Sequence, residues 1–240
     1  MSEDPSVLDA VRQALRSESR VDLAHHPVRL TMDQGDLVME GEVADIAAKK
    51  LALERAAAVS GVGGIVDRLR VRPAERMADG QIRDLLRDAL LAESAFADCA
   101  IRMRVKNAWE TCRAVDPPAG AIDIEIADGV VTLSGDVLGL GVKRLAGVLA
   151  WWIPGSRDVV NGLGVTPPET DNDDAIIDAV RLALEKDPFV NPDQIRVTSR
   201  NAVVTLQGLV PTAAEREMAE FDAWYIFGVD KVVNKILARP

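Results

Sequence analysis

The sequence predicts an α+β protein made of three tandem α-β-β-α-β modules, each a two-layer sandwich whose three-stranded mixed sheet carries two helices on one face. Three observations lead there. A glycine ends an apolar strand-like run at Gly41, Gly135 and Gly208. A second glycine follows 20 residues later in each case, at Gly61, Gly155 and Gly228. Five residues further on stands Val66, Val160 or Val233, followed by Asp67, Asn161 or Asn234. One register kept three times marks one repeated unit. The modules fall at residues 1–77, 78–169 and 170–240. Units this small bury only about 60% of their unfolded surface, so each gains from packing against a neighbour.

Each module opens with apolar residues at helical spacing: Leu8, Val11 and Leu15; Ile82, Leu86 and Leu90; Ile177, Val180 and Leu184. That period gives a helix with one buried face. A hairpin follows, clearest in the middle module, where Ile122, Ile124 and Ile126 alternate with polar residues before Asp128-Gly129. Asp-Gly between alternating strands is the strongest short hairpin signal. Gly35 holds the aligned place in the first module and Asn201-Ala202 in the third. The second helix has Asp45 at its N-cap position in the first module, Gly139 in the second, and in the third Thr212 with Glu215 three residues on, a capping box. It is expected to end at the second glycine, which permits a left-handed turn. A last strand runs over Ile65–Val71, Val159–Val165 and Val232–Leu237.

The middle module carries an insertion, roughly Ser94 to Gly120, with Cys99, Trp109, Cys112 and Pro117-Pro118. The sequence leaves two readings: an insertion ahead of the Ile122 strand, or Ile101–Val105 as the first strand with the extra residues inside the hairpin.

The net charge of −10 is spread, with 11 basic and 13 acidic residues in 1–77, 9 and 13 in 78–169, and 8 and 12 in 170–240. No basic block provides the counterion-releasing surface that nucleic acid requires, so nucleic acid is not an expected partner. The opening Met1-Ser2-Glu3-Asp4-Pro5 leads into an amphipathic helix without a basic region or apolar core of a signal peptide, and no run of 18 apolar residues exists. A cytoplasmic protein with free Cys99 and Cys112 is expected, a periplasmic one by an unrecognised route being the alternative.

The strand ends Val131-Thr132-Leu133-Ser134-Gly135 and Val204-Thr205-Leu206-Gln207-Gly208, with Gly228-Val229-Asp230-Lys231-Val232-Val233-Asn234-Lys235-Ile236, resemble the BON domain family. That family includes bacterial osmotically induced periplasmic proteins and other cell-envelope proteins. The resemblance covers nearly the whole chain. It implies a non-catalytic domain, binding to phospholipid or envelope partners, stress response, oligomeric assembly, and in one branch potassium sensing. Two departures stand out: many relatives are exported whereas this chain shows no signal, and its middle module holds an insertion.

No position gathers a nucleophile, a base and an orienting acid, so no enzyme and no cofactor are expected. Cys99 and Cys112 lack the spacing and nearby histidine of a zinc site, and the adjacent His25 and His26 point opposite ways on an extended chain. Gly61-Val62-Gly63-Gly64 and Gly139-Leu140-Gly141 lack the lysine of a phosphate loop and read as turns.

The candidate binding residues are aromatic. Trp151-Trp152-Ile153-Pro154 and Trp224-Tyr225-Ile226-Phe227 occupy aligned positions where the first module has Ala57-Ala58-Val59-Ser60. Gathered at a helix end, these rings either form a membrane- or partner-contact patch or pack against their own modules. Lys49, Lys143 and Arg216 share one aligned position just upstream and are weaker electrostatic candidates. The expected function is a binding or scaffold protein meeting a phospholipid surface or a protein partner. The alternatives are monovalent-cation or ligand sensing through exposed turn carbonyls, and a homo-oligomer assembled through strand edges.

Overall fold

The computed structural model describes residues 5–239; the acidic opening Met1–Asp4 lies outside them. The chain forms two compact units, one running to Arg72 and the other starting at Pro73.

The first unit is one module: α1 (Pro5–Ser17), β1 (Val28–Asp33), β2 (Asp36–Val43), α2 (Ile46–Ala57) and β3 (Gly64–Val71). β1 and β2 pair antiparallel, β2 and β3 in parallel, in the order β1-β2-β3. Leu8, Val11 and Leu15 of α1 and Ala48, Ala52 and Ala56 of α2 meet Leu30, Leu37, Met39 and Leu69 of the sheet in one core. Both helices therefore cover one face and leave the other open.

The second unit contains the other two modules. The middle one comprises α3 (Asp79–Ala92), β4 (Cys99–Val105), β5 (Ala108–Arg113), β6 (Gly120–Ala127), β7 (Val130–Val137), α4 (Leu140–Trp151), β8 (Asp158–Asn161) and β9 (Gly164–Val165). The third repeats the simple plan with α5 (Asp173–Lys186), β10 (Ile195–Arg200), β11 (Val203–Val210), α6 (Ala213–Tyr225) and β12 (Lys231–Ala238), in the order β10-β11-β12.

The middle sheet is larger than a three-stranded one. Its order is β5-β4-β6-β7-β8, with β9 also paired to β7. The hairpin strand is β6, as the alternation at Ile122, Ile124 and Ile126 requires, and Ile101–Val105 belongs to β4, which lies parallel to β6 on its outer side. The insertion is thus a folded β4–β5 hairpin that widens the sheet, with Ile101 and Met103 buried in the module's core. The last strand is divided between β8 and β9, and Leu163 is buried in the gap.

The repeated glycines have steric causes. The first of each pair sits two residues inside its strand, where a Cβ would strike a backbone carbonyl oxygen of the chain leading into or along the paired strand, that of Pro27, Ala121 or Gln194. Of the second set, Gly61 and Gly228 take positive φ, three or four residues after the helix has ended, whereas Gly155 is needed for space: a Cβ there would lie 2.6 Å from Met77 Cβ.

The hairpin turns are alike. Gln34-Gly35, Asp128-Gly129 and Asn201-Ala202 all have both residues at positive φ, the two-residue turn that matches strand twist. In the middle module Asp79, at the start of α3, accepts from the turn amides of Asp128 (3.0 Å) and Gly129 (2.8 Å). Asp173 does the same for Asn201 (2.8 Å) and Ala202 (3.0 Å) in the third. Among the caps, Asp45 accepts from Ala48 N (2.8 Å) and Thr212 from Glu215 N (3.1 Å). Glu215 does not close the box; its carboxylate accepts from Asn191 N at 2.9 Å. In α5 the buried face uses Ile176 rather than Ile177.

Candidate functional site

The aligned aspartate or asparagine of the last strand shows how one position is used in three ways. Asn161 Nδ2 donates to Lys143 O (2.7 Å), and Asn234 Nδ2 to Arg216 O (3.0 Å), so each ties the last strand to the second helix. The same asparagines accept from the amides of Leu163 and Ile236 two residues on. In the first module Asp67 accepts from Leu69 N in that way, but the tie to the helix is ionic: Lys49 Nζ turns inward, 3.0 Å from Asp67 Oδ2 and 2.9 Å from Leu69 O. Lys49 is buried. Arg216 is half-buried, with Glu217 3.7 Å away, and Lys143 lies with its Nζ 4.5 Å from the centre of the Phe227 ring. The three aligned cations therefore do not share one surface role.

The aromatic residues converge where the second and third modules meet. Trp151 at the end of α4 stacks on Tyr225 at the end of α6, with ring centres 5.6 Å apart and planes 15° from parallel. Trp152 Nε1 donates to Asp222 Oδ1 at 2.9 Å. Trp224 is only 1% exposed and lies inside the third module. Phe227 is 47% exposed, whereas Trp151, Trp152 and Tyr225 are half-buried.

Two groups that the sequence alone does not mark complete the junction. Arg144, next to Lys143, is 1% exposed; its guanidinium donates to Phe227 O (2.9 Å) and Ala175 O (3.2 Å) and pairs with Asp171. A buried guanidinium needs such partners on every side, and here the third module supplies them. Asp222, buried on α6, has one oxygen bonded by Trp152 and the other, Oδ2, with no donor among the described residues. Burial pushes its pKa up to about 8; the Trp152 bond works against this and the neighbouring Asp187 carboxylate adds to it. Protonated, the Asp222 carboxyl carries no charge into this buried place while it still accepts from Trp152. A third bridge, Lys186 Nζ to Glu93 Oε2 at 2.6 Å, joins the same two modules.

Sequence alignment of the modules holds the signal for Asp222, a carboxylate where the middle module has Leu149. For Arg144 it holds none, because the partners come from the loop and helix of the next module.

The remaining candidates lie apart. Cys99 is buried in the middle core and Cys112 half-buried on β5; both are free, and burial raises both thiols' pKa values. His25 is on an exposed turn with Nδ1 2.6 Å from Asp22 Oδ2, and this contact lowers the aspartate's pKa. Gly139 forms the N-terminus of α4, where Glu169 accepts from Leu140 N at 2.8 Å. Among the described residues no group of three or more His, Cys, Asp or Glu is arranged to hold a metal, and no helix is long and apolar enough to cross a membrane.

Comparison with known proteins bears on the fold. Among solved structures, the C-terminal domain of CdsD, a structural protein of the type III secretion system of Chlamydia trachomatis, is 15% identical over 100% of both chains, with a TM-score of 0.26. A second CdsD structure is 15% identical over 98% of this chain and 93% of its own, again with a TM-score of 0.26. Scores so low carry neither a common overall arrangement nor a common partner. No curated protein matches the chain. The family model of the BON domain matches three times, at residues 4–73, 98–167 and 172–240. With three tandem matches that together span most of its length, this chain belongs to the BON domain family.

Proposed function

We propose that this protein is a non-catalytic scaffold whose second and third modules act as one platform for a protein partner. The observation that carries this reading is the junction: Trp151, Trp152, Tyr225 and Arg144 all engage partners within the chain, and Trp224 is buried. Rings tied to partners within the chain stiffen a platform. The two free thiols suit a reducing compartment.

A lipid-contact reading has one observation in its favour. Phe227 stands exposed beside the Lys143 ammonium, an apolar ring with a cation next to it, which suits an anionic interface. One inserted large apolar side chain contributes roughly 1.5 to 3 kcal/mol and one cation about 1 kcal/mol, weak against a chain of net charge −10. Cation sensing has less support, because the Phe227 carbonyl at the third module's glycine turn already accepts from the Arg144 guanidinium.

Co-sedimentation with neutral and anionic liposomes, at low and physiological salt, tests the choice. The platform reading expects the chain to stay in the supernatant throughout. Pelleting on anionic vesicles that a folded Phe227→Ser/Lys143→Ser variant loses would overturn it and assign function to the lipid surface.

A further inference from the structure

The open faces of the three sheets differ in charge. In the first module the strands mix signs, and Arg29 on β1 lies 3.9 Å from Glu40 on β2. In the middle module Arg102 and Arg104 of β4 are answered by Asp123 and Glu125 of β6; Arg102 donates to Asp123 at 2.7 Å, and Arg104 stands 3.5 Å from Glu125. In the third module the strands hold Arg196, Arg200, Lys231 and Lys235 and not one carboxylate. Register makes these a grid: Arg200–Val203–Lys231 in one row, Thr198–Thr205–Val233 in the next, Arg196–Gln207–Lys235 in the third. All four cations are exposed, in a module whose acids sit on its helices and loops.

The middle module shows what this edge accommodates. Its β6 corresponds to β10: Ile122 pairs with Gly135 as Ile195 pairs with Gly208, which aligns Asp123 with Arg196. The outer edge of β6 is filled by β4, running parallel, with Arg102 opposite Asp123. Among the described residues no strand lies on the outer edge of β10, and its residue at that register has the opposite sign. On the connection entering β10, Phe189 is 71% exposed, an apolar side chain without cover. An uncovered edge offers backbone hydrogen bonds to an extended segment, and cross-strand charges select which one.

We infer that the free edge of β10 takes an extended acidic polypeptide segment as an added strand, in the position that β4 fills in the middle module, with carboxylates opposite Arg196 and Arg200. This names a partner chemistry within the scaffold reading. The backbone supplies attraction for any strand; the arginines reject basic ones and favour acidic ones.

The test uses the chain's own β4 as template. A fluorescent peptide of residues 99–106 with Cys99→Ser, Arg102→Glu, Arg104→Glu and Lys106→Glu is titrated with the full chain by anisotropy, beside a control peptide that keeps the three basic residues. The acidic peptide should bind about tenfold more tightly or better. Arg196→Glu/Arg200→Glu should invert the preference, Arg196→Gln/Arg200→Gln should abolish it, and hydrogen exchange should slow along β10 when the acidic peptide is bound. Equal affinity for the two peptides, or a preference that survives the charge reversal, overturns the proposal and leaves the arginines as a guard against edge-to-edge aggregation. Pelleting on phosphatidylglycerol vesicles that the charge reversal abolishes, with no peptide preference, would overturn it in favour of lipid at this face. Equal peptide affinities leave the platform reading intact, since that one rests on the junction of Trp151, Trp152, Tyr225 and Arg144, whereas pelleting would overturn both readings, the abolishing variant (Arg196→Glu/Arg200→Glu or Phe227→Ser/Lys143→Ser) telling which face meets the lipid.

Discussion

The first module and the joined pair of the second and third keep one register, yet they differ at the end of the second helix. Where the pair has Trp151-Trp152 and Trp224-Tyr225, the first has Ala57-Ala58, and it is the first that stands as a compact unit by itself. Its inner tie is also different in kind, a lysine buried against Asp67, where the pair uses neutral asparagines and turns Lys143 and Arg144 toward the neighbouring module. The contrast teaches that a repeat can hold its backbone plan fixed while the same positions serve either the module's own core or its attachment to another.

Breaking the attachment should have the largest effect. Arg144→Ala removes three polar partnerships of a fully buried cation and should lower the stability of the second unit by about 3 kcal/mol. Urea unfolding followed by tryptophan fluorescence reports only that unit, because all four tryptophans lie in it. A transition that splits in two would show that the junction alone couples the two modules. Lys50→Ala, at the aligned place in the first module, should cost well under half as much.

Next comes the ionic tie of the first module. Asp67→Ala takes from the buried Lys49 its carboxylate partner; because Asp67 itself is about one-third exposed, the cost is about 2 kcal/mol, less than for a fully buried pair. Asp67→Asn combined with Lys49→Met should recover much of the loss, measured by denaturation monitored by circular dichroism. An unaltered midpoint in Asp67→Ala would mean that the pair contributes nothing beyond its exposed equivalents.

Asp222 sharpens the comparison through pH. Its folded pKa of about 8 exceeds the unfolded value of about 3.9. The stabilisation is therefore complete below the unfolded value and is lost as pH rises through the folded one. Asp222→Asn keeps an acceptor for Trp152 and carries no charge at any pH, so it should melt higher than the parent at about pH 8 and show a flatter profile above about pH 4. A parent profile already flat over that range would contradict the protonated carboxyl.

The smallest change concerns the turns. Ala202 holds φ of 60° where the other two modules have glycine. Ala202→Gly should stabilise the third module by about 0.5 to 1 kcal/mol, read as a raised unfolding midpoint.

Much of this was legible in the sequence because it is local. Helix faces, two-residue turns and caps depend on neighbours within a few residues, and Asp45, Thr212 and Asp128-Gly129 take the places their chemistry dictates. What was not legible depends on distant partners. The parallel pairing of β4 with β6 leaves no periodicity that distinguishes it from a hairpin strand, so Ile101–Val105 stayed ambiguous. A glycine that looks like a helix cap can instead answer distant crowding: the second helix ends three or four residues before it, and Gly155 makes room for Met77 and Ile82 near the start of the second unit. Lys49, Lys143 and Arg216 look equivalent in alignment, but whether the last strand answers with aspartate or asparagine is one factor in where each side chain goes.

The aspartate that begins the first helix in the second and third modules and holds the hairpin turn also bears on the length of chain each must close. Asp173 finds its turn amides 28 and 29 residues downstream, but Asp79 must wait for partners 49 and 50 residues away. Closing the longer loop costs about 0.5 kcal/mol more by chain entropy alone. The β4–β5 hairpin lies inside that interval, and its two strands pair across a short turn. An insertion that widens the finished sheet thereby fills with local pairing the longer span that this aspartate must bridge.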